Sequence, residues 1–127
     1  MKKVVNTTDA PEPIGPYSQA VKAGDFIFVS GQIPLHPFTG ELVIDDITVA
    51  TNLVMENIGA ILNAAGADLS HIVKTSIFLT DINDFAEVNE VYGTYFKNNF
   101  PARETVQVAA LPKGVNVEMS VIAVKPW

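Results

Sequence analysis

The stretch running from Ala50 to Ala65 limits what this chain can fold into more than any other. Its residues Ala50, Leu53, Val54, Asn57, Ile58, Ile61, Leu62 and Ala65 recur at i, i+3, i+4, i+7 and onward. That period gathers them into one stripe of an amphipathic helix, and Gly66 supplies the residue that ends it. A helix so one-sided must lie against something apolar. The runs beside it read as strands. Ala20–Gly31 forms a hairpin turning at Gly24-Asp25, and His71–Thr80 is a β-rich run. A strand, helix, strand succession implies a right-handed crossover, so part of the sheet is expected to be parallel.

The remaining segments extend this plan. Met1–Val5 reads as an edge strand. Asn6–Gln19 and Gln32–Val43 are proline- and glycine-broken loops. Asp81 or Asn83 can cap a second helix, whose stripe is Phe85, Val88, Tyr92, Tyr95 and Phe96; Pro101 closes that region. Thr105–Ala109 and Val115–Val124 read as the last two strands. The expected order is β-ββ-α-β-α-β-β over residues 1–127. The fold class is α+β, one domain with a mixed six-stranded sheet and two helices on one face.

Composition bears on the uncovered sheet face. Apolar residues make up 48% of the chain and charged residues 17%, against about a quarter in a typical soluble protein. A homo-oligomer with apolar interfaces accounts for this, and an unusually apolar monomer is the alternative. The net charge is −6, and the 8 Lys and Arg residues are scattered. Nucleic-acid binding needs clustered basic charge, so no nucleic-acid partner is expected. There is no cysteine and so no disulfide. The N-terminal residues lack a signal-peptide core and no apolar run reaches membrane-spanning length, so a cytoplasmic protein without a membrane partner is expected.

Candidate site residues are polar groups placed where the pattern calls for apolar ones. In "FPARETVQV", strand alternation sets Arg103, Thr105 and Gln107 on one side and Glu104, Val106 and Val108 on the other. Arg103 lies on the polar side, so an ordinary solvated arginine and a site residue both remain open. Adjacent strand residues do not face each other, so Glu104 is not its ion-pair partner. Glu118 sits mid-strand between Val117 and Met119. Asn89 lies on or beside the second helix's apolar stripe and reads as a packing amide or a site residue. Tyr17, Ser30 and Gly31 fall at strand ends, where binding groups gather. His36 and His71 show no helical pairing, so no metal site is expected, and no phosphate-binding or nucleophile-elbow motif occurs. One arginine, one glutamate and a few hydroxyls suit a small anionic substrate and proton transfer through water.

Several segments match a known family in order and spacing: "IGPYSQAV", "SGQIP" with "TGE" after it, "IVKT-IF-TD", "F-EVNEVY--YF" and, above all, "PARETVQVAALPKGVNVEM". Through them essentially the whole chain resembles the RidA/YjgF reactive-intermediate (2-iminobutanoate/2-iminopropanoate) deaminase family. The resemblance implies a chorismate-mutase-like fold, a homotrimer with sites in the clefts between subunits, and no cofactor. It implies hydrolysis of 2-imino acids, released by pyridoxal-phosphate dehydratases, to 2-oxo acids and ammonia. It places the carboxylate-binding arginine on Arg103 and the water-handling glutamate on Glu118. Tyr17, Ser30, Gly31 and Asn89 become cleft residues, and the Glu104 backbone a substrate contact. Glu118 then becomes the functional partner of Arg103, with the substrate between them. The family usually has a small residue where this chain has Glu104. A non-catalytic 2-oxo-acid-binding or regulatory protein is the main alternative, and RNA cleavage a second.

Overall fold

The computed structural model describes residues 1–126. Six strands form one sheet: β1 (Lys2–Val5), β2 (Ala20–Ala23), β3 (Phe26–Gln32), β4 (Ile72–Leu79), β5 (Ala102–Gln107) and β6 (Val117–Val124). Two helices, α1 (Ile47–Ala64) and α2 (Phe85–Gly93), complete it with three short 3-10 turns. The strand order is β1-β2-β3-β6-β4-β5. β4 and β5, joined through α2, run parallel, and the other described pairings are antiparallel. The mixed six-stranded sheet and the two helices agree with the sequence reading.

The β2–β3 hairpin turns at Gly24-Asp25, with Gly24 at a φ of 59°. Glycine at the first central position suits the tight turn that matches strand twist. Asp46 caps α1 by accepting from the Val49 amide at 3.1 Å. The α1 stripe buries Ala50, Val54, Met55, Ile58, Ile61 and Leu62 against Ile27, Val29, Val117, Met119, Val121 and Ala123 of β3 and β6. Leu53 stays half-buried, while Met55 and Thr51 join the stripe.

Three expectations shift. Asp81 caps the turn Ile82–Asp84 that precedes α2, not α2 itself. Tyr95 and Phe96 lie past the end of α2 but still pack on the core, and the Tyr95 hydroxyl donates to Asn52 Oδ1 of α1 at 2.6 Å. β5 starts at Ala102 and ends at Gln107, earlier than alternation indicates. Pro101 lacks an amide donor, so the ladder with β4 begins just after it.

The helices cover one sheet face only. The other carries Phe26, Phe28 and Val106, all exposed, with Ile122, Lys74 and Ser76 between them by register. No helix among the described residues is long and apolar enough to cross a membrane.

Asn57, 2% exposed within the α1 stripe, joins the helix to the loop after β3. Its amide donates to the Leu35 carbonyl at 3.0 Å and to the Ile33 carbonyl at 3.4 Å. Asn57→Ala should destabilise the fold by about 1–3 kcal/mol, since buried carbonyls lose their donor. Urea denaturation measures this; an unchanged midpoint contradicts it.

Candidate active site

The sequence-predicted residues fall into two groups. The first lies in a cleft of about 340 Å³ lined by Ile14, Tyr17, Ser30, Gly31, Ile33, Pro112 and Glu118. The second lies in a cleft of about 490 Å³ lined by Asn89, Tyr92, Gly93, Phe100, Pro101 and Arg103.

The first group is built by an irregularity in the β3–β6 ladder. Val29 pairs with Val121 and Gln32 with Met119, so β3 has Ser30 and Gly31 where β6 has Ser120 alone. Such a bulge re-aims side chains and interrupts pairing. Gly31 then lies against the Glu118 carboxylate: a Cβ there would overlap Oε2 and stand 2.9 Å from Cδ. The Ser30 hydroxyl donates to the Ser18 carbonyl at 2.5 Å, so its oxygen is left to act as an acceptor. The Tyr17 hydroxyl accepts from the Ile14 amide at 3.2 Å and keeps its own proton free to donate. Glu118 is half-buried, and burial with no compensating charge raises its pKa.

The second group sits under α2. Arg103 is half-buried, and its guanidinium carbon lies 5.6 Å from the Phe85 ring centre and 5.1 Å from that of Tyr92. Asn89 is exposed and lines the same cleft, so the packing-amide alternative is set aside. Burial raises the Tyr92 pKa, against weaker lowering by its bond to Thr75 and by the Arg103 charge.

The two groups do not meet within one chain. Arg103 pairs with Thr75, and Thr75 with Val121, whereas Glu118 pairs with Phe78. Paired residues share a sheet face, and residues three apart on a regular strand do not. Arg103 therefore faces the helices and Glu118 the open side. The polar side of β5 is the helix side, the reverse of what apolar alternation implies.

Glu104 faces away from Arg103, as alternation predicts. On the open face its carboxylate pairs with Lys74 Nζ at 2.8 Å and accepts from the Ser76 hydroxyl, and these bonds, the Lys74 one foremost, lower its pKa. Its side chain is engaged with β4, and its backbone lies beside Arg103. Residues missed by sequence reasoning are Phe85 and Tyr92 as neighbours of Arg103, and Ile14, Ile33 and Pro112 as cleft walls. The signal available was the spacing of Phe85, Asn89 and Tyr92, which puts them on one row of α2. Among the described residues no cluster of three metal-ligating side chains occurs.

A mixed sheet with a polar site split between its two faces defines the class, and comparison with known proteins gives it a lineage. The sequence profile described as endoribonuclease L-PSP matches residues 7–125. A mouse protein named 2-iminobutanoate/2-iminopropanoate deaminase is 49% identical, covering 98% of this chain and 93% of its own. A Yersinia pestis protein of the conserved Rid family superposes with a TM-score of 0.95 at 51% identity, over 98% of this chain and 99% of that one. Escherichia coli TdcF, solved with bound serine, gives 0.93 at 46%, over 97% and 98%. The chain belongs to the RidA/YjgF family.

The raised pKa of Glu118 has a consequence for stability. Stability contributed by its protonated form is present below the ordinary glutamate range and is lost as pH rises through the higher folded value. Glu118→Gln should therefore melt above wild type at about pH 7, and that advantage should shrink at about pH 4, as the folded carboxyl takes up its proton. Calorimetry at the two pH values checks this; an equal gain at both contradicts it.

Proposed function

We propose that this protein hydrolyses 2-imino acids to 2-oxo acids and ammonia, in sites completed by two copies of the chain. The reading is carried by Glu118, a carboxyl raised by burial at the mouth of a cleft and without a charged partner. A carboxyl so placed, facing a cleft and free of a charged partner, can take a proton from a water and return it. The naming of close relatives as 2-iminobutanoate/2-iminopropanoate deaminases agrees with it.

Arg103 binds the substrate carboxylate through two parallel N–H bonds and so fixes the C=N carbon. Asn89 stands beside it. With the substrate as its iminium, Glu118 takes a proton from a water as the oxygen bonds to that carbon and the C=N bond becomes single. It returns this proton to the amine nitrogen, then takes the proton of the adduct's hydroxyl as the C–N bond breaks, ammonia leaves and the carbonyl forms; that last proton passes to the departing ammonia, so that ammonium is released. Tyr17 donates a hydrogen bond into the cleft, and Ser30 accepts one. Ile14, Ile33 and Pro112 face the substrate side chain. The backbone of Glu104 contacts the substrate, while its side chain stays with Lys74.

Arg103 and Glu118 meet only if a second copy brings its helix-side cleft to the open face of the first. The exposed Phe26, Phe28 and Val106 give that face apolar area to bury. A homotrimer with three such clefts satisfies both requirements, and the protein is cytoplasmic in this reading. The profile's endoribonuclease description is not followed, because 8 basic residues scattered among 14 acidic ones form no clustered basic stretch in the sequence for a phosphate backbone.

A coupled assay in which a dehydratase generates the imine and ammonia is measured tests the reaction. Arg103→Ala and Glu118→Gln should each lower turnover by about a hundredfold or more, without changing the oligomer. Glu118→Gln should retain 2-oxo-acid binding. Wild-type turnover in either variant contradicts the mechanism. Tight 2-oxo-acid binding by a wild-type protein that releases no ammonia favours the binding-protein alternative.

A further inference from the structure

An arginine that must grip a carboxylate faces a conflict. It has to be held still, yet an acceptor that holds it consumes N–H donors or offsets its charge. Among the described residues Arg103 has no ion pair, and the hydrogen bonds of its cleft neighbours do not involve its guanidinium. Two aromatic rings flank it instead, at 5.6 Å and 5.1 Å. A ring face attracts a guanidinium through its quadrupole and takes no N–H bond.

The Tyr92 ring is held by burial, a ring contact and a hydrogen bond. Tyr92 is 3% exposed and packs on Phe96 with ring centres 4.9 Å apart. Its hydroxyl donates to Thr75 Oγ1 at 2.9 Å, and Thr75 is fully buried. Thr75 is also the β4 residue paired with Arg103. The anchor of the ring and the backbone of the arginine are thus neighbours across one ladder rung. Any tilt of α2 that would carry the ring away from the guanidinium has to break that bond first.

We propose that Tyr92, anchored by Thr75, is a positioning residue for Arg103: its ring holds the guanidinium by the face and leaves the N–H edges free for the substrate carboxylate. This rests on the function proposed above, in which Arg103 binds that carboxylate. Core packing alone explains the burial of Tyr92, but it makes no link between Tyr92 and ligand binding through Arg103.

The test is NMR titration of 2-oxobutanoate into the full-length protein, which reaches millimolar affinities. The variants are Tyr92→Leu, Tyr92→Phe and Thr75→Val, each made in wild-type and Arg103→Ala backgrounds. Tyr92→Leu should weaken binding about tenfold and raise KM for the imine similarly, with kcat within about twofold of wild type. Tyr92→Phe and Thr75→Val, which keep the ring but lose its anchor, should weaken binding about two- to threefold. In the Arg103→Ala background none of the three should weaken it further. Equal weakening in both backgrounds overturns the proposal, as does wild-type affinity in all three variants. Should Tyr92→Leu fail to fold, the other two decide on the same terms. If Arg103→Ala itself binds like wild type, the reading of the site falls and this role with it. Weak binding by Arg103→Ala without coupling overturns the role of Tyr92 alone.

Discussion

The packing of α1 on one face of the sheet is the contact on which the rest depends. Ile58, Ile61 and Leu62 are fully buried against β3 and β6, and that burial leaves the opposite face to find its own cover. Each buried aliphatic side chain here is worth about 1.5–3 kcal/mol, so the arrangement is not easily inverted. Strand alternation then does the sorting. Arg103 goes to the helix side, where the α2 rings flank it, and Glu118 goes to the open side, where the β3 bulge makes room for it. A site that uses both residues has to be assembled from two chains. The bare sheet face and the divided site are two results of one packing choice.

The α1 helix was legible because its 3.6-residue period is a property of the chain itself, and the two-residue hairpin because glycine announces it. β5 was less so. Alternation separates Arg103 from Glu104, as the structure has them, but does not say which of the two sides faces the helices. Alternation assigns sides within one strand, and the β4–β5 register is needed to relate them to Glu118. The apposition of Gly31 and Glu118 depends on a single extra residue in β3, for which the sequence carries no separate mark beyond the glycine. Periodicity places Asn89 on α2 beside its apolar stripe, where the structure has it. Its exposure in the cleft with Arg103 is set by tertiary packing, which periodicity does not report.

Glu104, which follows the site arginine directly, has a defined place in the structure. Its carboxylate is directed across β4 to Lys74 and Ser76, away from the cleft that holds Arg103. The pair is exposed in a single chain and contributes little there. Within one chain its carboxylate is thus held on the sheet face opposite Arg103.

The central claim, that one catalytic unit draws Arg103 from one chain and Glu118 from another, is open to direct measurement. Arg103→Ala and Glu118→Gln proteins, each inactive alone, are unfolded together in equal amounts and refolded. Mixed assembly places an intact Arg103 opposite an intact Glu118 at about a quarter of the interfaces, as independent pairing requires. Deaminase turnover should therefore return to about a quarter of the wild-type value. If both residues served a site within a single chain, every chain in the mixture would carry one defect, and absence of recovered turnover in verified mixed oligomers would contradict the account.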